Sequence, residues 1–332
     1  MKLRYHDVVA YAVPLIVALS LSVVLAKQAR QIALSNVDNA KAFHSFSAGL
    51  EEYQELRPEW RTRFLSNLLA GGLVNLVEVG FAPADRDAAM GSITAKWTAG
   101  WIMLVFLIYI AFLRQESLLF ILGTFCAVSF AYTPGLGSIR IYPWDLPALF
   151  WFAVSVVLLK SNRPYLLAFL VPIATLFKET ALLIPIAFLF WGEIPWRRRI
   201  ALCALSMLAG LAAKGIVDVV TGSPSPLITM TLADAHTELR LITNLRLITE
   251  LRAGYPLFIN SGLLAALLLL PISDRRILGW KVIALLFIAG NMLFGLINEY
   301  RIWLELVPPS LQAIYLHFSR QVPTKPAGLP PP

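Results

Sequence analysis

Apolar runs near 20 residues long recur from one end of this chain to the other, which is the length an α-helix needs to cross a bilayer core. Ten apolar runs, some of them shorter, at 8–26, 97–113, 118–132, 144–160, 165–177, 180–191, 199–220, 256–272, 279–297 and 302–318, are read as transmembrane or re-entrant helices. Lipid offers no hydrogen bonds to an open backbone, so spanning segments of this kind are helical. The expected fold class is therefore an all-α polytopic membrane protein with about 10 such helices and no soluble C-terminal domain. Charged residues are 14% of the 332, against roughly 25% in a soluble domain, too few to cover a surface in water. The first run lacks a small-residue cleavage site, so it is read as a retained helix, not a signal peptide.

The net charge of +8 invites a nucleic-acid reading, but its distribution points elsewhere. With the N-terminus cytoplasmic, Lys2 and Arg4 share a face with Arg114, Lys160, Arg163, Arg197 to Arg199, Arg275, Arg276, Lys281, Arg320 and Lys325. That face holds 13 basic residues against 4 acids, leaving 15 basic and 16 acidic residues elsewhere, which reproduces the +8. This is the positive-inside asymmetry of a protein of the cytoplasmic (inner) membrane with both termini inside. It leaves no excess charge for nucleic acid.

The topology requires 165–191 to enter and leave one face as a hairpin bent at Lys178-Glu179-Thr180, each arm being too short for a full crossing. The single transmembrane domain is then 1–318, with long extracytoplasmic segments at 27–96, 133–143 and 221–255. A disordered cytoplasmic tail, rich in proline, is expected over 319–332. The stretch Phe64 to Ala82 is apolar but broken by Asn67, Asn75 and Glu78, so it reads as re-entrant or packed. Residues 239–252 hold a near-repeat, LRLITN then LRLITE, that fits a strand by alternation and an interfacial helix less cleanly.

A charge at bilayer depth costs on the order of 2.5–3.5 kcal/mol, so each one needs a reason. Asp38, in the first outer segment, suits a general base for an acceptor hydroxyl, or a carboxylate that positions a divalent metal; a solvated loop residue or helix N-cap is the plainer account. Arg61 and Arg63, entering the apolar stretch at Phe64, suit an anionic headgroup, because guanidinium binds phosphate through two donors. They also suit pairing with Glu55 or Glu59. Asp145, in Tyr142-Pro143-Trp144-Asp145-Leu146-Pro147, fits either an N-cap of the fourth span or a carboxylate orienting a buried cation. Lys178 and Glu179 interrupt nearly thirty apolar residues, and neighbours on a helix do not face each other. Each therefore needs a partner elsewhere, with Asp145 and Arg301 at the same depth. Glu299 and Arg301, in Asn298-Glu299-Tyr300-Arg301, complete the set. All eight, from five separated segments, fall near one surface.

Other chemistries find no footing. Cys126 and Cys203 sit in apolar runs, the four histidines are scattered, and no phosphate loop, G-x-S-x-G or H-E-x-x-H occurs.

At these residues the chain resembles the GT-C superfamily of membrane glycosyltransferases, in its bacterial polyprenyl-phosphate-sugar-dependent branches. The similar features are an acidic residue in the first outer loop (Asp38), R-x-R-x-L at Arg61, Arg63 and Leu65, D-L-P opening a span at Asp145, K-E-T at Lys178, and N-E-x-R at Asn298. The resemblance implies transfer of a sugar from a lipid-linked phosphate donor to an extracytoplasmic acceptor by a single inverting displacement. Asp38 would be the base or metal-positioning carboxylate, and Arg61, Arg63, Lys178 and Arg301 would hold the donor phosphate. A lipid-linked sugar, membrane lipid and other membrane proteins are the implied partners. A transporter or flippase of a lipid-linked anion, or a non-catalytic subunit of a membrane complex, are the alternatives.

Overall fold

The computed structural model describes residues 5–35, 63–78, 86–112, 118–137, 142–221, 241–249, 266–271, 274–294 and 300–319. Among them the chain is helical apart from turns, and no strand forms. Helix α1 (Tyr5–Ser35) continues past the expected end of the first span at Ala26. Lys27 to Leu34 are mostly strong helix formers, with neither Gly nor Pro to stop them. The segment expected as an outer loop over 27–96 also contains α2 (Phe64–Glu78) and the start of α3 (Arg86–Phe112).

Then follow α4 (Leu118–Gly137), α5 (Asp145–Lys160), α6 (Pro164–Phe177), a 3-10 turn (Glu179–Leu183), α7 (Ile186–Leu189) and α8 (Trp196–Val220). The near-repeat forms α9 (Leu241–Thr249), not a strand. The chain closes with α10 (Arg275–Phe294), a second 3-10 turn (Tyr300–Leu306) and α11 (Val307–Ser319).

Among the described residues four helices are long and apolar enough to cross a membrane: Tyr11–Leu34, Gly91–Ala111, Trp196–Val220 and Arg275–Leu293. They mark the chain as a membrane protein. They also correct the expectation of about ten transmembrane or re-entrant helices, since α2, the apolar part of α4, α6 and the piece after it are all shorter. The last expected span is split at Val307, where Pro308 and Pro309 cannot donate to a preceding turn and so restart the helix. Most of the expected span 256–272 lies outside the described residues.

Helices α1 and α3 form the most extensive pair. A Cβ at Gly91 would lie 3.1 Å from Leu34, while Ser22 Oγ reaches Met103 Sδ at 3.9 Å, so the two run antiparallel in one register. Helix α5 is buried all round: 13 of its 16 residues are buried, with Leu149 and Ala153 in one apolar cluster and Phe152 and Leu159 in the other. A helix apolar on every side belongs at the centre of a bundle. It ends at Asn162, whose left-handed φ of 56° lets the amide of Arg163 bond back to Leu158. Elsewhere large apolar side chains such as Leu119 and Val219 are more than four-fifths exposed, as lipid-facing positions are.

The expected hairpin forms. Gly210 of α8 packs against both Thr175 and Leu182, which places residues on either side of the bend at one level. At the start of α8, Arg199 donates to the carbonyls of Ile194 and Leu189, so the returning arm descends antiparallel to α8. The bend itself lies at the end of the bundle away from the Ser161–Arg163 turn and Arg197 to Arg199.

Candidate functional site

The site is built around a single extended residue. Helix α6 ends at Phe177, and Lys178 takes φ −160° and ψ 136° before the 3-10 turn begins. Lys178 and Glu179 each find a separate partner on opposite sides of this break. Ser66 of α2 stabilises the break by donating its hydroxyl to the Phe177 carbonyl at 3.1 Å.

Lys178 turns inward. Its ammonium lies 3.3 Å from Asp145 Oδ1 at the start of α5 and contacts Glu305 Oε1 in the second 3-10 turn. All three side chains are withdrawn from water, at 8%, 6% and 0% exposure. Two carboxylates around one ammonium offset much of the cost of burying each charge. Glu179 turns the other way and receives two bonds from Arg63, from Nε at 3.0 Å and from Nη2. This pair is more open, with Arg63 at 14% and Glu179 at 35% exposure, so it is the edge of the cluster nearest to solvent or lipid headgroup.

Aromatic rings fix the geometry. The Arg63 guanidinium sits 4.3 Å from the centre of the Trp144 ring, which stacks on Tyr142 at 4.8 Å. Trp97 of α3 donates its indole N–H to the Pro143 carbonyl at 3.1 Å and ties the turn before α5 to the neighbouring helix. Phe177, beside Lys178, makes ring contacts with both Trp101 and Trp151. The charges of Arg63, Asp145, Lys178 and Glu305 act on one another, and Lys214 of α8 acts on Glu179.

Of the eight residues singled out from the sequence, Arg63, Asp145, Lys178 and Glu179 meet in this cluster. Asp38, Arg61 and Glu299 lie outside the described residues, as does the side chain of Arg301. The N-cap reading of Asp145 is corrected: Trp144 occupies the cap position, no side chain caps the helix, and the carboxylate is turned to Lys178. Arg63 pairs with Glu179, while Glu55 and Glu59, the alternative partners, lie outside the described residues. Glu305, the most deeply buried member, went unnoticed inside Trp303-Leu304-Glu305-Leu306. A lone carboxylate in an apolar run is itself the signal that could have found it.

Chemically, Arg63 and Lys178, the two cations of this cluster, are already matched by carboxylates. The cluster thus sets three carboxylates against two cations and has one accessible edge, where Arg63 uses Nε and Nη2 on Glu179 and its Nη1 has no partner among the described residues. Among the described residues no group of three or more His, Cys, Asp or Glu could hold a metal ion. Comparison with models of known protein families, with curated proteins and with solved structures gives no match to this chain.

Proposed function

We propose that this chain is a membrane glycosyltransferase, moving a sugar from a polyprenyl-phosphate-linked donor to an acceptor on the face of the cytoplasmic membrane opposite its basic turns. The observation that carries this reading is the convergence of Arg63, Asp145, Lys178 and Glu179 from three separate segments into one buried frame at the hairpin tip. Charges held at that depth are maintained for function more often than for stability. In the reaction, Asp38 takes the proton of the acceptor hydroxyl, that oxygen attacks the anomeric carbon, and the lipid phosphate leaves with the bonding pair. Arg63 presents Nη1 to the departing phosphate, while the Lys178 trio holds the bend in place.

The test is transfer by the purified chain from a labelled prenyl-phosphate sugar to a hydroxyl acceptor. Asp38→Asn is expected to abolish transfer while leaving folding intact, and transfer at the wild-type rate in that variant would remove Asp38 as the base.

A transporter of a lipid-linked anion is the second reading, favoured by the broken hairpin, since bent short helices at membrane depth also line transport sites. Uptake into proteoliposomes that is lost in Lys178→Ala, without any transfer activity, would replace the first reading with this one.

A further inference from the structure

Helix α8 carries two charges that the frame does not absorb. Lys214 and Asp218 lie one turn apart and are 7% and 5% exposed, on a buried stripe with Val217 and Thr221. Neither oxygen of Asp218 has a hydrogen-bond partner among the described residues. Lys214 makes no ion pair or hydrogen bond at contact distance among the described residues; its charge reaches Glu179 across a gap. Residues four apart on a helix are close enough to bond directly, yet these two do not.

A buried charge without a partner is costly, so an open cation beside an open carboxylate marks a place where something else completes the pairing. Here the two valences are of opposite kind and about one helical turn apart, roughly 6 Å between Cβ atoms. Lys178 is enclosed by two carboxylates and Arg63 is held by Glu179. Among the described buried cations, Lys214 is the one with no carboxylate at contact distance. The negative charge of Glu179 nearby is already committed to Arg63, so it does not repel that anion at full strength.

We infer that Lys214 and Asp218 form a headgroup slot for a phosphate ester bearing adjacent hydroxyls. Lys214 donates to a phosphate oxygen, and Asp218 accepts hydrogen bonds from the hydroxyls of the attached sugar or polyol. This deepens the glycosyltransferase reading and rests on it for the lipid-linked source of such a ligand; a free sugar phosphate has the same chemistry.

The experiment measures binding of a labelled prenyl-phosphate hexose to the full chain in lipid nanodiscs. Competitors are bare prenyl phosphate, prenyl alcohol, a hexose 1-phosphate and inorganic phosphate. The wild type is expected to prefer prenyl phosphate over prenyl alcohol, a comparison that needs no variant. Lys214→Gln is expected to weaken binding about tenfold or more, and Lys214→Arg to stay within about threefold of wild type. Asp218→Asn is expected to lose the preference for the glycosylated over the bare lipid phosphate. Competition by hexose 1-phosphate as strong as by the lipid would assign the slot to a free ligand. Equal binding of prenyl phosphate and prenyl alcohol by the wild type, or unchanged binding in Lys214→Gln, overturns the inference. Asp38→Asn separates the two proposals: it should bind normally without transferring. Wild-type binding without transfer defeats the enzyme reading alone, and transfer untouched by Lys214→Gln defeats the slot alone.

Discussion

Replacing Lys178 with Met removes the ammonium and keeps most of the side-chain volume, so the variant isolates the charge. In the wild type, Nζ lies 3.3 Å from Asp145 Oδ1 and contacts Glu305, with all three side chains at 8% exposure or less. Its loss leaves two carboxylates in the interior with no cation between them. Breaking a buried pair by deleting one partner costs about 3–5 kcal/mol. We therefore expect Lys178→Met to lose at least about 3 kcal/mol of stability. The triple variant Lys178→Met/Asp145→Asn/Glu305→Gln should recover most of that, because the three positions of the trio then carry no charge. Reversible unfolding in detergent micelles, followed by tryptophan fluorescence, measures both. A Lys178→Met protein within about 1 kcal/mol of wild type, or a triple variant no more stable than the single, would refute the claim that the carboxylates depend on Lys178.

Arg63→Lys keeps the charge but loses the two-donor fork to Glu179 and the planar stacking over Trp144. Because the pair is partly exposed, a loss of only about 1 kcal/mol is expected in the same unfolding assay, with a shift in tryptophan emission. Two glycine-to-alanine changes should differ in sign. A Cβ at Gly279 would meet the Ala187 backbone at 3.1 Å, so Gly279→Ala is expected to cost about 1–3 kcal/mol, while Gly215 has nothing within 4 Å and its change should gain about 0.5–1 kcal/mol in thermal or denaturant unfolding. Asn244 is fully buried and donates to the carbonyls of Asn291 and Met292, so Asn244→Leu should release α9 from α10, read as faster hydrogen exchange or proteolysis confined to 241–249.

The helical, lipid-facing character of the chain was legible because the length of an apolar run is a direct physical requirement of the bilayer. So was the hairpin: charge sidedness demanded a return at Lys178, and Arg199 now bonds to the end of the returning arm. Helix ends were less legible. Nothing in Lys27 to Leu34 breaks a helix, and the apolar run alone says only where lipid begins, not where hydrogen bonding stops. Partner choice could not be read at all for Glu179, since a carboxylate attracts any cation in reach and only the packing of α2 brings Arg63 there. Glu305, Lys214 and Asp218 were missed for a different reason. Each sits within a strongly apolar segment whose average conceals one or two ionisable residues, so the test for such residues has to be made position by position.

The bend at Lys178 also has a history during synthesis. Asp145 precedes it in the chain, but Glu305 is made 127 residues later. At about 5–20 residues per second, roughly 6–25 s separate the two. Through that interval the hairpin tip holds a lysine with only one of its two carboxylates, at a depth where lipid cannot solvate the shortfall. The early helices therefore cannot settle into their final packing until the C-terminal 3-10 turn arrives, and a ribosome-bound chain ending before Glu305 should remain with the insertion machinery instead of being released into the bilayer.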